Sequence, residues 1–143
     1  MLRTAEKTID IPDCSSSVIK VPELKNKKIY GLELVLEVFG CDLKFLTSEP
    51  KIREFIINVT NTLKLGRYGP PRIKRFMGGG LFGEGYSFFQ FLDSSSITGH
   101  FIEPDRIAFI NIFSCGVFDP DLAADFTKNF FKAKKITTRL IIH

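Results

Sequence analysis

One pattern, used twice, constrains this chain more than anything else in it. Leu32, Leu34, Leu36 and Val38 alternate with Glu33, Val35, Glu37 and Phe39, the period of two that marks a strand with one buried face. The strand runs into Cys41 and then into Ser48-Glu49-Pro50, where a serine cap, an early acid and a first-turn proline start a helix. Ile52, Phe55, Ile56, Val59 and Leu63 recur at helical spacing, and Gly66 is expected to end that helix. Further on, residues 106–113 read as a strand leading to Cys115, and Asp119-Pro120 starts a helix carrying Leu122, Phe126 and Phe130. Two such runs predict an α+β fold: a duplicated βαββ unit, with helices on one face of a mainly antiparallel sheet.

The remaining segments fit around that frame. Strands are expected at 72–77, 86–92, 97–102 and 136–142, with turns at Asp93-Ser94-Ser95-Ser96 and Glu103-Pro104-Asp105. A glycine-rich link, 78–85, joins the first two of these strands. It is followed by a strand and lacks Gly-Lys-Ser/Thr, so it is neither a dinucleotide fingerprint nor a P-loop. Its glycines suit a close-approach loop at a pocket edge. Residues 1–27 read as an N-terminal arm with a short edge strand at 18–21, and 28–143 as a single domain.

Charge and cysteine usage narrow the function classes. A balance of 20 Lys+Arg against 16 Asp+Glu gives only +4, too little for a nucleic-acid binder. The cluster Lys128, Lys132, Lys134 and Lys135 reads as a solvated helix face. Three cysteines with no CxxC and no HExxH argue against a disulfide framework and against a metal site, and favour a reducing compartment. No stretch has the apolar length of a leader or a membrane span. The expectation is a cytoplasmic protein with neither a membrane nor a nucleic acid as partner.

Chemistry-bearing residues concentrate between Tyr86 and Gly116. Ser87, the serine run 94–96, His100 and Cys115 fall on adjacent strands and turns, and antiparallel pairing can bring such residues together at one end of a sheet. Each alone also has a purely structural reading. Ser95 suits a turn, His100 a surface or core histidine, and Cys115 a small buried hydrophobe. A Ser-His-Cys grouping suggests acyl transfer, yet no acid stands ready to orient His100 and no GxSxG elbow is present.

The stretch Asp93-Ser-Ser-Ser-Ile-Thr-Gly-His100, followed by Ala108-Phe-Ile-Asn-Ile-Phe-Ser-Cys115-Gly116, resembles the core of the S-adenosylmethionine decarboxylases. Residues 31–42 are similar to that family's first strand. The spacing places Ser87, Ser95, His100 and Cys115 on the family's functional positions without a gap. The resemblance implies a proenzyme that cuts itself between Ser94 and Ser95 and leaves a pyruvoyl group made from Ser95. Ser95 would attack the Ser94 carbonyl, and His100, assisted by Ser87, would remove the α-proton. A distorted peptide at a tight turn would ease the attack. The pyruvoyl group would hold the substrate as a Schiff base, and Cys115 would return a proton after CO2 leaves.

By the same resemblance the substrate is S-adenosylmethionine, feeding polyamine (spermidine) synthesis, and the protein is a homodimer of processed protomers with the site near their interface. Tyr30 and Phe82 fall where the family stacks adenine, Glu33 matches an active-site acid of some members, and Glu103 lies beside the position of the ribose-binding acid. Two positions depart from the family: Ser94-Ser95-Ser96 replaces Glu-Ser-His, and Pro104 replaces the ribose acid. They keep two alternatives open, a pyruvoyl decarboxylase of arginine or ornithine and an unprocessed ligand-binding or regulatory homologue.

Overall fold

The computed structural model describes residues 9–10, 28–78 and 83–143. Seven strands form one antiparallel sheet: β1 (Ile9–Asp10), β2 (Leu32–Phe39), β3 (Arg72–Phe76), β4 (Gly85–Leu92), β5 (Ser95–Ile102), β6 (Ile107–Ser114) and β7 (Lys135–Ile142). Their order across the sheet is β1-β7-β2-β6-β5-β4-β3. The helices are α1 (Leu43–Leu46), α2 (Glu49–Thr62) and α3 (Pro120–Phe130). The run of strand, cysteine, proline-started helix and strand thus occurs twice, as β2–Cys41–α2–β3 and β6–Cys115–α3–β7.

Local sequence sets each helix start. Ser48 Oγ accepts from the Lys51 N–H at 3.3 Å, and Asp119 Oδ1 accepts from the N–H groups of Asp121 and Leu122, both at 3.0 Å. The short helix α1, capped by Asp42 Oδ1 on the Lys44 N–H, lacks the length for an apolar stripe and was not expected. Helix α2 stops at Thr62, short of Gly66. The left-handed residue after it is Lys64, with φ +57°, so a lysine holds the position that glycine usually takes.

Alternation gives the sheet two unlike faces. Leu32, Leu34, Leu36 and Val38 of β2 point inward with Ala108, Ile110 and Ile112 of β6, beneath α2 and α3. Phe55 of α2 is fully buried, its ring 4.8 Å from Phe131, 5.3 Å from Phe130 and 6.3 Å from Phe88. The other face carries Phe39, Phe89, Phe91, Phe109 and Phe113, with no helix over it among the described residues, and Phe91 and Phe109 are exposed. Among the described residues no helix is long and apolar enough to cross a membrane. The edge strand expected at 18–21 lies outside the described residues.

Candidate active site

Strands β2 and β6 run antiparallel, so the two cysteines that follow them lie at opposite ends of the sheet. Cys41 is buried, its Sγ 3.6 Å from the Val38 carbonyl oxygen, and burial pushes its thiol up to about 12. Such a thiol stays protonated and inert. Cys115 is exposed at the other end, which removes the small-buried-hydrophobe reading for that residue.

Ser95 opens β5, directly after the two-residue connection Asp93-Ser94. It pairs with Leu92 of β4 on one side and Ser114 of β6 on the other. The Cys115 backbone N–H donates to Ser95 Oγ at 3.1 Å, so hydroxyl and thiol belong to one corner of the sheet. Neither Asp93 nor Ser94 has positive φ. Tyr30 lies at the same corner, just ahead of Leu32, the β2 partner of Ser114. Its ring is 63% exposed and carries Lys28 Nζ at 4.8 Å from the centroid, so it is a rim aromatic rather than a core one. Gly31 lets β2 lie close to this corner, since a Cβ there would come within 2.9 Å of the Ser114 carbonyl oxygen.

His100 and Ser87 form a second pair. They stand opposite each other on β5 and β4, with Ser87 Oγ and His100 Nδ1 2.9 Å apart. Ser87 thus supplies the orienting group for which the sequence offered no acid. The four residues do not converge in one chain, contrary to the expectation of a single cluster. His100 lies five strand residues beyond Ser95, about 16 Å at ordinary strand rise, and odd and even positions face opposite ways.

Glu33 sits on the uncovered face, one register row in from Ser95. It accepts from Asn111 Nδ2 at 2.7 Å and lies 3.0 Å from His143 Nε2. The Asn111 hydrogen bond holds its carboxyl below the ordinary 4.5, against the opposing effect of burial, with a smaller lowering by His143. A depressed folded pKa means that this contact stabilises the fold at neutral pH and is lost as pH falls through that pKa. We expect Asn111→Leu to lower the unfolding free energy, read from urea titration, by about 1 kcal/mol more at pH 7 than at pH 3. A pH-independent shift would show that the contact does not stabilise the ionised acid.

Glu103 is placed elsewhere. Its side chain is buried and both oxygens face Arg75, at 2.5 Å from Nη1 and 3.1 Å from Nη2, with Glu84 also against that guanidinium at 3.4 Å. It lies past the far end of β5, where it is held by this ion pair. The sequence signal missed here was Arg75, an inward charge on a basic edge strand. The neighbouring Asp105 is exposed. Phe82 lies outside the described residues.

A pyruvoyl group made from Ser95 fits these surroundings: the Ser95 hydroxyl oxygen is fixed by a backbone donor, and that donor belongs to a residue that carries an exposed thiol. A sequence search of curated proteins returns no match. Among solved structures, the chain is similar to the crystal structure of the adenosylmethionine decarboxylase from Aquifex aeolicus VF5. The TM-score is 0.67 at 20% identity, covering 80% of this chain and 90% of that one. The sequence profile described as S-adenosylmethionine decarboxylase matches residues 32–142, from the start of β2 to the end of β7. The chain belongs to the S-adenosylmethionine decarboxylase family.

Proposed function

We propose that this decarboxylase of S-adenosylmethionine makes its own prosthetic group by cutting itself between Ser94 and Ser95, and serves polyamine synthesis. The observation that carries this is the Cys115 N–H on Ser95 Oγ at a two-residue exposed turn. That donor fixes the position of the hydroxyl oxygen, which attacks the Ser94 carbonyl carbon. The C–N bond breaks, the amide nitrogen takes the hydroxyl proton, and an ester remains with a free amine on Ser95. A histidine base takes the Ser95 α-proton, and the Cβ–Oγ bond breaks to release the Ser94 carboxylate. Water then displaces the amine as ammonia. When formed, the pyruvoyl group supplies a carbonyl that draws off the electron pair left by departing CO2. The Cys115 thiol donates a proton to that carbon, Tyr30 stacks on the adenine, and Glu33 faces the positive charge of the substrate.

The base cannot be the same chain's His100, given the separation along β5. The reading therefore requires a homodimer in which each chain contributes Ser95 and Cys115 to one site, and Ser87 and His100 to the other. The uncovered face bearing Phe91 and Phe109 supports a second copy laid face to face, because such an apolar sheet face is otherwise left in water. Intact mass of the freshly purified chain tests the proposal. Two pieces, residues 1–94 and 95–143, the second lacking a free amine, are expected, with none from Ser95→Ala. A chain that stays whole would favour the ligand-binding homologue, and cut chains releasing CO2 only from arginine or ornithine would favour the other substrate class.

A further inference from the structure

The two atoms that must react in self-cleavage are held from different sides. Ser95 Oγ is fixed from β6 by the Cys115 N–H. The acyl side, Asp93-Ser94, leaves β4 where that strand has outrun its neighbour, since β3 pairs with β4 only from Gly85 to Phe89. The open edge is filled by residues 66–69 of the connection after α2. Tyr68 N–H donates to the Phe91 carbonyl at 2.9 Å, Asp93 N–H donates to the Gly66 carbonyl at 3.0 Å, and Arg67 bridges to Leu92. Gln90, fully buried on β4, donates from Nε2 to the carbonyls of Gly69 at 3.0 Å and Tyr68 at 3.3 Å. Its Oε1 meets no donor among the described residues, so an apolar side chain would suit the core better.

The segment is itself tied down. Arg67 Nη1 lies 2.7 Å from Thr60 Oγ1, 2.7 Å from Asn61 Oδ1 and 3.1 Å from the Ile57 carbonyl oxygen, all at the end of α2. Gly66 packs directly on Asp93: a Cβ there would overlap Asp93 Oδ2 and lie 2.9 Å from its Cγ. Nothing in the decarboxylation itself uses these contacts.

We infer that residues 66–69, with Gln90, brace the Asp93-Ser94 side of the turn so that the Ser94 carbonyl stays aligned with Ser95 Oγ, which makes Gly66 and Arg67 positioning residues for self-cleavage. The inference rests on the self-processing reading. The first step gains from the brace because neighbouring residues in a mobile turn spend little time in attack geometry, and a misplacement of about 1 Å can cost up to about a hundredfold in rate.

The test follows cleavage of the full chain by intact mass, in unaltered form and as Gly66→Ala, Arg67→Met, and Gly66→Ala combined with Asp93→Ala. Hydroxylamine, which cuts an ester and spares an amide, is added to parallel samples. Arg67→Met is expected to slow cleavage by about tenfold to a hundredfold, and Gly66→Ala, whose Cβ meets only the movable end of the Asp93 side chain, by less. No hydroxylamine-labile ester should accumulate, because the slowed step precedes the ester. Removing the Asp93 side chain should return Gly66→Ala close to the unaltered rate. Arg67→Met keeps the result readable if Gly66→Ala fails to fold. Variants that cut as fast as the unaltered chain, or that slow while ester builds up, would overturn the brace alone. An unaltered chain that stays whole, with or without hydroxylamine, would overturn the self-processing reading and the brace with it.

Discussion

Co-expression of a Cys115→Ala chain with a His100→Ala chain is expected to return about a quarter of the unaltered activity, although either chain alone is nearly dead. The arithmetic follows from two-fold symmetry. Random pairing makes about half the dimers mixed, and in each mixed dimer one site joins the intact Cys115 of one chain to the intact His100 of the other. Its second site carries both defects. The physical basis is the separation found here: Ser95 and Cys115 share one corner of the sheet, while Ser87 and His100 stand on the open face well along β5. Sites complete within single chains would give no recovery. His100→Ala alone should also stop at the ester, which hydroxylamine would release as two pieces.

Phe55→Ala is expected to cost about 3–5 kcal/mol of folding stability, the range for emptying a buried aromatic site. Phe55 is fully buried and meets the rings of Phe88 on the sheet, Phe126 and Phe130 of α3, and Phe131 after it. Phe55 therefore ties α2 to α3 and β4 from one position. In a chain of this size the change corresponds to a fall in melting temperature on the order of 10 °C. It is best measured on a Ser95→Ala background, where the chain stays whole and two-state analysis applies. The half-buried Phe130→Ala should cost less. Equal losses at the two positions would mean that Phe55 is not the keystone of the layer.

Much of this was legible in the sequence because the informative signals are local. Alternation named β2 and its inward residues, and the Ser48 and Asp119 caps with their prolines located both long helices. Strand ends moved by a residue or two, since register depends on the neighbour and not on the strand itself. What the sequence did not carry was position across the sheet. Ser87, Ser95, His100 and Cys115 looked like one cluster because they are close along the chain. The parity of Ser95 against His100, and the antiparallel run of β5 on β6, separate them into two. The pairing of Glu103 was hidden for a related reason: its partner Arg75 is distant in sequence, and only the placing of β3 and β5 on either side of β4 brings the two near each other. Helix α1 was too short to show a period.

The strand order has a consequence for the life of the molecule. If the proposed self-cleavage occurs, the break between Ser94 and Ser95 leaves β1 to β4 on one piece and β5 to β7 on the other. Across the sheet the two are shuffled: β7 lies between β1 and β2, and the pair β6-β5 lies between β2 and β4. Neither piece holds a contiguous sheet of its own, so the halves remain interlaced after the bond is gone. Before the break, reassembly is a first-order event within one chain and proceeds at any dilution. Afterwards it needs an encounter between two molecules, and the loop that kept their ends together no longer raises the local concentration. Under the proposed self-cleavage, maturation would turn a foldable chain into an object that persists because it was assembled earlier, its durability governed by how slowly it opens.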